Sequence, residues 1–288
     1  MSISLRKLRR LLFRNRFSRE GNRLPVGKVN LEWYGDVVNL GDYLSVVVCQ
    51  HLLSLRSLTF SSDSSDKKIK HLMAIGSILG GRGDFDAVVW GSGIRNFSSV
   101  RGLNRKKIYQ KLDIRAVRGP FTRDALRQCG FDCSDVFGDP AILMPMIYQP
   151  EKQEKHGIVL ITHYLTPEEK FSDRMGIRRL DIKTNDYEGF IETICSAEKV
   201  VSSSLHGIIL AEAYGTPAVF LRQGIETETL KFFDWYYSTG RFSVNVASSL
   251  DEAITMEPMT LPDLSEMQKD LLETFPYDMW ESRQDFSL

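Results

Sequence analysis

The sequence lacks any long, uninterrupted apolar stretch. Its longest apolar run, residues 44–53, is broken by Ser45, Cys49 and His51, and nothing approaches the roughly 20 apolar residues of a membrane-spanning helix. The first 25 residues also lack the apolar core of a signal peptide. We therefore expect a protein that resides in the cytoplasm.

Cysteine is scarce, and no phosphate-binding loop is present. The four cysteines among the 288 residues form no CxxC pair, and no second pair of thiols or imidazoles lies near Cys129 and Cys133. We interpret all four as reduced structural thiols and expect no metal site. The glycine-rich segments at 80–83 and 91–93 match neither a P-loop nor the GxGxxG fingerprint of dinucleotide-binding proteins.

Net charge is zero, but basic residues concentrate at the start of the chain. Residues 1–28 contain nine of the 37 Lys and Arg residues and one acidic residue. Leu5, Leu8, Leu11 and Leu12 have roughly helical spacing there, so the segment is either an amphipathic helix that lies on an anionic membrane surface or a solvated basic arm. The rest of the chain is acidic and has no matching basic stripe, so we expect no nucleic-acid partner.

Short apolar segments alternate with amphipathic helical patterns along most of the chain. This alternation predicts an α/β fold with mostly parallel sheets, and a charged, proline-containing stretch at 145–156 divides it into two domains that face a cleft. We predict a basic arm over residues 1–28, an N-terminal domain over 29–148, a C-terminal domain over 156–260 and helices at 261–288 that pack back on the N-terminal domain. The predicted strands cover residues 29–34, 71–75, 86–90, 114–117, 158–162, 178–182, 199–202 and 218–221.

The segment from residue 200 to 217 combines a strand, three serines and a histidine. Ligands of open α/β sheets bind beyond the carboxyl ends of the strands, and Ser203, Ser204 and His206 fall there at the start of a helix. Free backbone N–H groups at a helix start favour an anion such as phosphate, and an imidazole there can donate a proton to a bound phosphorylated substrate. The alternative is that Ser204 only caps the helix and that His206 is an ordinary surface residue.

Two arginines follow strands in the N-terminal half. Arg118 ends a strand and precedes a Gly-Pro helix start, where a guanidinium can hold a carboxylate or a phosphate through two parallel hydrogen bonds. The alternative for Arg118 is an ordinary salt bridge between the domains. Arg95 follows Gly91 and Gly93, which let a ligand approach the backbone, so its side chain can also meet the ligand.

Carboxylates and a second histidine also follow predicted strands. Asp36, Asn39 and Asp42 share the loop after the first strand, where a carboxylate can act as a base toward a sugar hydroxyl or hydrogen-bond it. An Asx turn with a helix cap is the alternative for this loop. Asp139 and His163 would both face the cleft between the domains, where a structural and a functional role fit equally well.

Six short segments occur in a recognisable order: Asn-Leu-Gly-Asp at 39–42, Trp-Gly-Ser-Gly at 90–93, Val-Arg-Gly-Pro at 117–120, Gly-Asp-Pro at 138–140, Ser-Leu-His-Gly at 204–207 and Gly-Thr-Pro at 215–217. From about residue 30 to residue 222 the ordered set resembles the polysaccharide pyruvyltransferase family. The resemblance implies two Rossmann-like domains in a GT-B-like arrangement, without a metal or other cofactor. It also implies transfer of a pyruvyl group from phosphoenolpyruvate to a sugar hydroxyl pair, as a ketal, in capsule, exopolysaccharide or cell-wall glycan biosynthesis.

Two roles carry over from the motifs of that family. Arg118 matches the arginine that binds phosphoenolpyruvate, and His206 matches the catalytic histidine. Many members have Arg where this chain has Ser204, so we expect the missing positive charge to come from Arg95, Arg222 or the helix start. The predicted site comprises catalytic His206, Asp42 and Asp139; donor-binding Arg118, Ser203, Ser204, Leu205, Gly207, Arg95 and His163; and acceptor-binding Asp36, Asn39, Trp90 and Ser92.

Two other functions fit the same residues. A GT-B-type glycosyltransferase that uses a nucleotide sugar would hold its diphosphate at the helix start near Ser204, whereas a non-catalytic glycan-binding protein would hold no donor. The expected partners are phosphoenolpyruvate and a sugar acceptor. If a lipid carries that acceptor, the basic arm over residues 1–25 would hold the protein on the inner face of the membrane.

Overall fold

The computed structural model describes residues 23–26, 29–35, 37–58, 70–80, 86–104, 111–166, 175–225 and 228–280. Three predictions fall on residues outside these ranges: the helical spacing of the leucines in the basic arm, the acceptor-binding role of Asp36 and the packing of residues 281–288 on the N-terminal domain. No helix within the described ranges is long and apolar enough to cross a membrane.

A five-stranded sheet forms in the N-terminal half. Its strands lie in the order β1 (Arg23–Val26), β2 (Val29–Glu32), β3 (Lys70–Met73), β4 (Ala87–Trp90) and β5 (Leu112–Ala116). β2 to β5 are parallel, whereas β1 pairs antiparallel with β2. The helices of this half are α1 (Leu40–Ser54), α2 (Phe97–Asn104), α3 (Pro120–Gln128) and the short α4 (Met144–Ile147), which follows a 3₁₀ helix at Pro140–Leu143.

The sheet of the C-terminal half is parallel throughout. β6 (Ile158–Ile161) lies between β7 (Ile177–Leu180) and β8 (Lys199–Ser202), and β9 (Ala218–Leu221) and β10 (Val246–Ala247) extend the sheet beyond β8. Because the strands after β6 are added first on one side and then on the other, a crevice opens between the loops that follow β6 and β8. The helices of this half are α5 (Tyr187–Cys195), α6 (Leu205–Ala213), α7 (Leu230–Ser238) and α8 (Leu250–Thr255).

The α/β prediction with mostly parallel sheets is confirmed. All of the predicted strands form, with ends shifted by a few residues, because helices cover these sheets on both faces and the strands therefore appear in the sequence as short apolar runs. β1 was not predicted, since it lies in the basic arm, so the first sheet begins before residue 29. β10 was also missed, because two residues give no periodic signal. The GT-B-like arrangement stays a prediction.

The two halves share one apolar core. A single buried cluster includes Leu44 of α1, Ile208 of α6 and Trp235 of α7, so helices of both halves pack side by side. The start of α1 is tied to the C-terminal half by a hydrogen bond of 2.9 Å from the Leu40 N–H to the Ile182 carbonyl. The carboxyl ends of strands from both sheets consequently meet around one cavity.

The C-terminal helix α9 (Ser265–Thr274) packs on the N-terminal half. The Trp90 indole donates a hydrogen bond of 2.9 Å to the Leu271 carbonyl, and the Gln268 amide donates one of 2.8 Å to the Ile142 carbonyl. The Trp90 ring is fully buried against Phe275, with ring centroids 4.8 Å apart.

Candidate active site

A cavity of about 560 Å³ lies between the two sheets at the carboxyl ends of their strands. Both halves of the chain supply its walls, which carry aromatic rings, carboxylates, cationic groups and two histidines. The polar and aromatic lining residues include Glu32, Trp33, Tyr34, Asn39, Asp42, Ser77, Arg95, Ser98, Ser99, His163, Tyr164, Ser204, His206, Glu228 and Lys231. This volume lies within the range of small-molecule binding sites.

His206 lines the cavity from the first turn of α6, with a buried aspartate behind it. Its Nε2 lies 3.5 Å from Oδ2 of Asp139, and neither atom has a hydrogen-bond partner among the described residues. The other oxygen of Asp139 is held by the Ala141 N–H at 3.1 Å. A carboxylate in this position can fix the orientation of an imidazole.

Gly41 provides the space for the His206 ring. A Cβ atom at this position would lie 1.8 Å from Nδ1 of His206, so any larger residue would displace the imidazole. The Asn-Leu-Gly-Asp segment therefore serves the site in two ways, because Asp42 also lines the cavity. Asn39 lines it as well, and its side-chain oxygen accepts the Gly41 N–H at 3.0 Å as the cap of α1.

Asp42 is a buried carboxylate whose pKa is raised from 3.8 to about 6. Burial is the main cause; nearby Asp139 adds to the shift, whereas the positive charges of His206, Lys231 and Arg95 oppose it. A carboxyl group with this pKa can exchange a proton near neutral pH, as a general acid or base must.

The start of α6 offers unused hydrogen-bond donors. The backbone N–H groups of Leu205, His206 and Gly207 make no hydrogen bond to another described residue. Ser204 is the N-cap residue by conformation, yet its hydroxyl does not cap the helix. The capping alternative for Ser204 is therefore not what the structure shows, and the hydroxyl on the cavity wall is available to a ligand.

Two cations and one carboxylate form a cluster beside this helix start. Arg95 reaches from the loop after β4 and donates through Nε, at 3.0 Å, and Nη2 to Oε1 of Glu228. Lys231 of α7 donates to the other carboxylate oxygen at 3.0 Å, and its Nζ also lies 3.3 Å from Nε2 of His163. The cluster joins the two halves of the chain and carries one more cation than anion.

The pKa values of this cluster follow from its burial and its charges. Burial raises the pKa of Glu228, but the hydrogen bond from Arg95 and the charge of Lys231 outweigh it, and the pKa falls to about 2. Burial lowers the pKa of Lys231. Burial and the Lys231 charge lower the pKa of His163 to about 4, so this imidazole is neutral at neutral pH.

Arg118 does not line the cavity, and the prediction that it meets the ligand there is corrected. Its side chain is fully buried in an ion pair of 3.0 Å with Asp234 of α7. Its guanidinium also donates to the Ser77 hydroxyl at 2.7 Å and to the Ile94 carbonyl at 2.6 Å. The structure thus shows the alternative, a salt bridge between the halves, and Gly93 leaves room for this guanidinium, since a Cβ there would lie 2.4 Å from its Cζ.

Three further predicted residues are buried behind the cavity wall. Trp90 packs against α9, and the Ser92 hydroxyl donates to the Gly76 carbonyl at 2.9 Å, so the structure contradicts direct acceptor binding by either residue. Ser203 is fully buried, and its hydroxyl accepts the His163 N–H at 3.0 Å. It positions the loop after β6 and does not face a ligand. Asp36 lies outside the described residues.

Lys231, Glu228 and Glu32 line the cavity but were not predicted from the sequence. Lys231 lies in an aromatic helix segment without a motif, and only its long-range contacts reveal its role. Arg95 and Lys231 both line the cavity, so two cations lie where the charge of the missing arginine was expected. Arg222, the other candidate, hydrogen-bonds Ser248 at 3.4 Å and does not line the cavity.

The fold and the site define an α/β protein with a charged cleft between two mostly parallel sheets. The chain belongs to the polysaccharide pyruvyl transferase family, which residues 39–224 match. This membership implies transferase activity and glycan modification.

Two similar proteins are uncharacterized. The chain is 26% identical over 223 residues to protein L143 of Acanthamoeba polyphaga mimivirus, and the match covers 72% of this chain and 73% of the relative. The crystal structure of protein KP1_0663 from Klebsiella pneumoniae subsp. pneumoniae NTUH-K2044 is similar over 86% of this chain and 100% of that chain, with 12% sequence identity and a TM-score of 0.49.

Proposed function

We propose that the protein transfers a pyruvyl group from phosphoenolpyruvate to a pair of sugar hydroxyls, in the biosynthesis of a capsule, exopolysaccharide or cell-wall glycan. The observation that carries this proposal is the convergence on one cavity of the His206–Asp139 pair, Asp42 and an anion-binding surface. The match to the polysaccharide pyruvyl transferase family supports it. No cofactor takes part in the proposed reaction.

The proposed reaction needs an acid, a place for two anionic groups and a base. His206 donates a proton to the methylene carbon of phosphoenolpyruvate, which makes the adjacent carbon electrophilic. One sugar hydroxyl attacks that carbon, the bond from this carbon to the phosphate oxygen breaks, and inorganic phosphate leaves. The second hydroxyl then attacks the same carbon, gives up its proton to the departing phosphate and closes the ketal.

The residues divide between the two substrates. Asp139 orients the His206 imidazole, and the N–H groups at the start of α6 together with Arg95 and Lys231 bind the phosphate and carboxylate of the donor. Asp42 accepts a proton from an attacking hydroxyl, which its pKa of about 6 permits at neutral pH. Arg118 acts only through the packing of the two halves.

The acceptor is proposed to be a sugar presented at the inner face of a membrane, on a lipid carrier. The basic start of the chain supports this location, because clustered Lys and Arg residues bind anionic lipid surfaces. Removal of residues 1–22 should then abolish binding to vesicles that contain anionic lipid while donor binding persists. Unchanged vesicle binding would remove the membrane from the proposal.

The direct test is turnover of phosphoenolpyruvate by His206→Asn, with His156→Asn as the matched control. His156 is exposed, lies 3.5 Å from the exposed Glu154 and does not line the cavity. Loss of the proton donor should lower turnover by about 10²–10⁴-fold, whereas the control should keep wild-type turnover. Wild-type turnover in His206→Asn would refute the mechanism, and stabilisation of the protein by a nucleotide sugar instead of phosphoenolpyruvate would indicate the glycosyltransferase alternative.

A further inference from the structure

The N-terminal wall of the cavity carries a polar cluster that the proposed mechanism does not use. Asn30 and Glu32 lie two residues apart on one face of β2, and His71 on β3 is the cross-strand partner of Asn30. Val29 and Leu31, on the opposite face, are fully buried in the apolar core. Glu32 stands at the carboxyl end of β2 and lines the cavity.

Two neighbouring groups hold a single oxygen of the Glu32 carboxylate. The Asn30 amide donates to Oε1 at 2.6 Å, and Nδ1 of His71 lies 2.7 Å from the same atom. The second oxygen, Oε2, makes no hydrogen bond to a described residue. The carboxylate is therefore fixed in direction and retains one oxygen for a ligand.

The energetics of this cluster favour a ligand that donates hydrogen bonds. The Glu32 side chain is only 14% exposed, and a carboxylate removed from water is costly unless both oxygens are satisfied. A ligand hydroxyl that donates to Oε2 would give the second oxygen of Glu32 its hydrogen bond. The negative charge of Glu32 disfavours a phosphate or a second carboxylate beside it, so the anionic donor belongs at the part of the lining that carries the cations Arg95 and Lys231 together with the start of α6, here called the donor wall.

Aromatic rings adjoin the carboxylate on the same wall. Trp33 and Tyr34 follow Glu32 in the chain and line the cavity. The Tyr34 ring faces Tyr164 of the C-terminal half across 6.3 Å between centroids. A pyranose ring combines an apolar C–H face, which packs on aromatic rings, with equatorial hydroxyls, which a carboxylate can accept.

We propose that Glu32 binds a hydroxyl of the sugar acceptor and that Trp33 and Tyr34 form the rest of the acceptor subsite. The inference rests on the proposed function in taking the second ligand to be a sugar. It assigns the neutral acceptor to the N-terminal wall, whereas Lys231 and the start of α6 hold the donor. His71 is a positioning residue that acts through Glu32.

The test is the binding of neutral glycosides, followed by saturation-transfer NMR. The probes are methyl β-D-glucopyranoside, methyl β-D-galactopyranoside and methyl N-acetyl-β-D-mannosaminide. Wild-type protein should bind at least one of them, and Glu32→Gln should raise its Kd about tenfold, the loss of one charge-assisted hydrogen bond. The exposed Glu198→Gln serves as the matched control and should bind as the wild type does.

A second variant separates positioning from folding. His71→Phe keeps a ring on β3 but removes one of the two groups that orient Glu32, so the Kd should rise by about threefold, less than in Glu32→Gln. The stabilisation by phosphoenolpyruvate should be the same in all of these variants, because none of them touches the donor wall.

The outcomes distinguish this inference from the proposed function. Failure of every glycoside to bind the wild type, or wild-type binding by Glu32→Gln, would overturn the inference even if phosphoenolpyruvate is turned over. Glycoside binding that depends on Glu32, in a protein that phosphoenolpyruvate does not stabilise, would support the inference and overturn only the proposed donor.

Discussion

Two ion pairs of the same construction join the halves of this protein, yet they differ in what surrounds them. In each, an arginine that follows a strand of the first sheet meets a carboxylate in or just before α7. The Arg118–Asp234 pair is fully buried. The Arg95–Glu228 pair lines the cavity, with the arginine side chain 39% exposed, and shares its carboxylate with Lys231.

The difference shows how burial separates a structural charge from one that can bind a ligand. Both carboxylate oxygens of Asp234 already accept hydrogen bonds within the protein, because the Thr122 N–H donates to one at 3.0 Å and the Thr122 hydroxyl donates to the other at 2.6 Å. Glu228, in contrast, is one carboxylate shared by two cations, Arg95 and Lys231. An anionic ligand can therefore pair with these cations in addition to Glu228. Both pairs hold the halves together, but only the second is open to a substrate.

The largest expected effect is on stability at the buried pair. Arg118→Met should lower the free energy of unfolding by about 3–5 kcal/mol, since it leaves Asp234 buried without its charge partner. Urea denaturation measures this loss. Arg115→Met is the control: its partners Asp113 and Asp278 are largely exposed, so the expected change is about 0–1 kcal/mol. An equally small change in both variants would show that the buried pair does not hold the halves together.

The next effect contrasts two of the carboxylates that line the cavity, Asp42 and Glu228, through their pH dependence. Asp42 has a pKa of about 6 in the folded chain against an ordinary value of 3.8. Its contribution to the free energy of unfolding is therefore most favourable below pH 4 and is lost as the pH rises through 6. At pH 7 the free energy of unfolding of Asp42→Asn should therefore exceed that of the wild type by on the order of 2 kcal/mol, while its turnover falls. Unfolding curves at pH 4.5 and pH 7 measure this; a difference that does not grow with pH would contradict the assignment.

Glu228 should show the opposite sign. Its pKa is lowered to about 2 against an ordinary value of 4.5, so it stabilises the fold above pH 4.5 and this contribution is lost as the pH falls toward 2. Glu228→Gln should consequently be less stable than the wild type at pH 7, and the two proteins should converge in acid. A constant difference from pH 7 to pH 3 would argue against the paired state of this carboxylate.

The smallest effect on stability belongs to the exposed arginine. Arg95→Met should change the free energy of unfolding by less than about 1 kcal/mol, because water screens its ion pair. The same change should weaken phosphoenolpyruvate binding about tenfold, the value of one charge-assisted hydrogen bond to an anion. Calorimetric titration measures the affinity. A loss of stability in Arg95→Met with unchanged affinity for phosphoenolpyruvate would contradict the distinction between the two ion pairs.

The sequence predicted local features better than contacts between distant segments. Apolar runs located the strands, and the strand-to-helix junction located Ser204 and His206, because these signals lie within a few residues of each other. Arg118 looked like a ligand-binding arginine because its partner Asp234 is 116 positions further along the chain. Lys231 was missed for the same reason, since its neighbours Arg95 and His163 come from other elements.

Glycine positions show the same limit. Gly91 and Gly93 were predicted to let a ligand approach, but a Cβ on Gly91 would lie 2.2 Å from Pro140 and one on Gly93 would meet Arg118. Both glycines serve internal packing. Gly41, in contrast, makes room for a residue of the site, and only the fold shows which of these glycines faces His206.

The most direct test of the central claim is a thermal-shift titration with phosphoenolpyruvate on the wild type and on Lys231→Met, with uridine diphosphate as the competing ligand class. If the cavity cluster binds the donor, phosphoenolpyruvate raises the melting temperature of the wild type, the shift is lost in Lys231→Met, and uridine diphosphate has no effect. An undiminished shift in Lys231→Met, or stabilisation by uridine diphosphate alone, would contradict the assignment of this cavity to phosphoenolpyruvate.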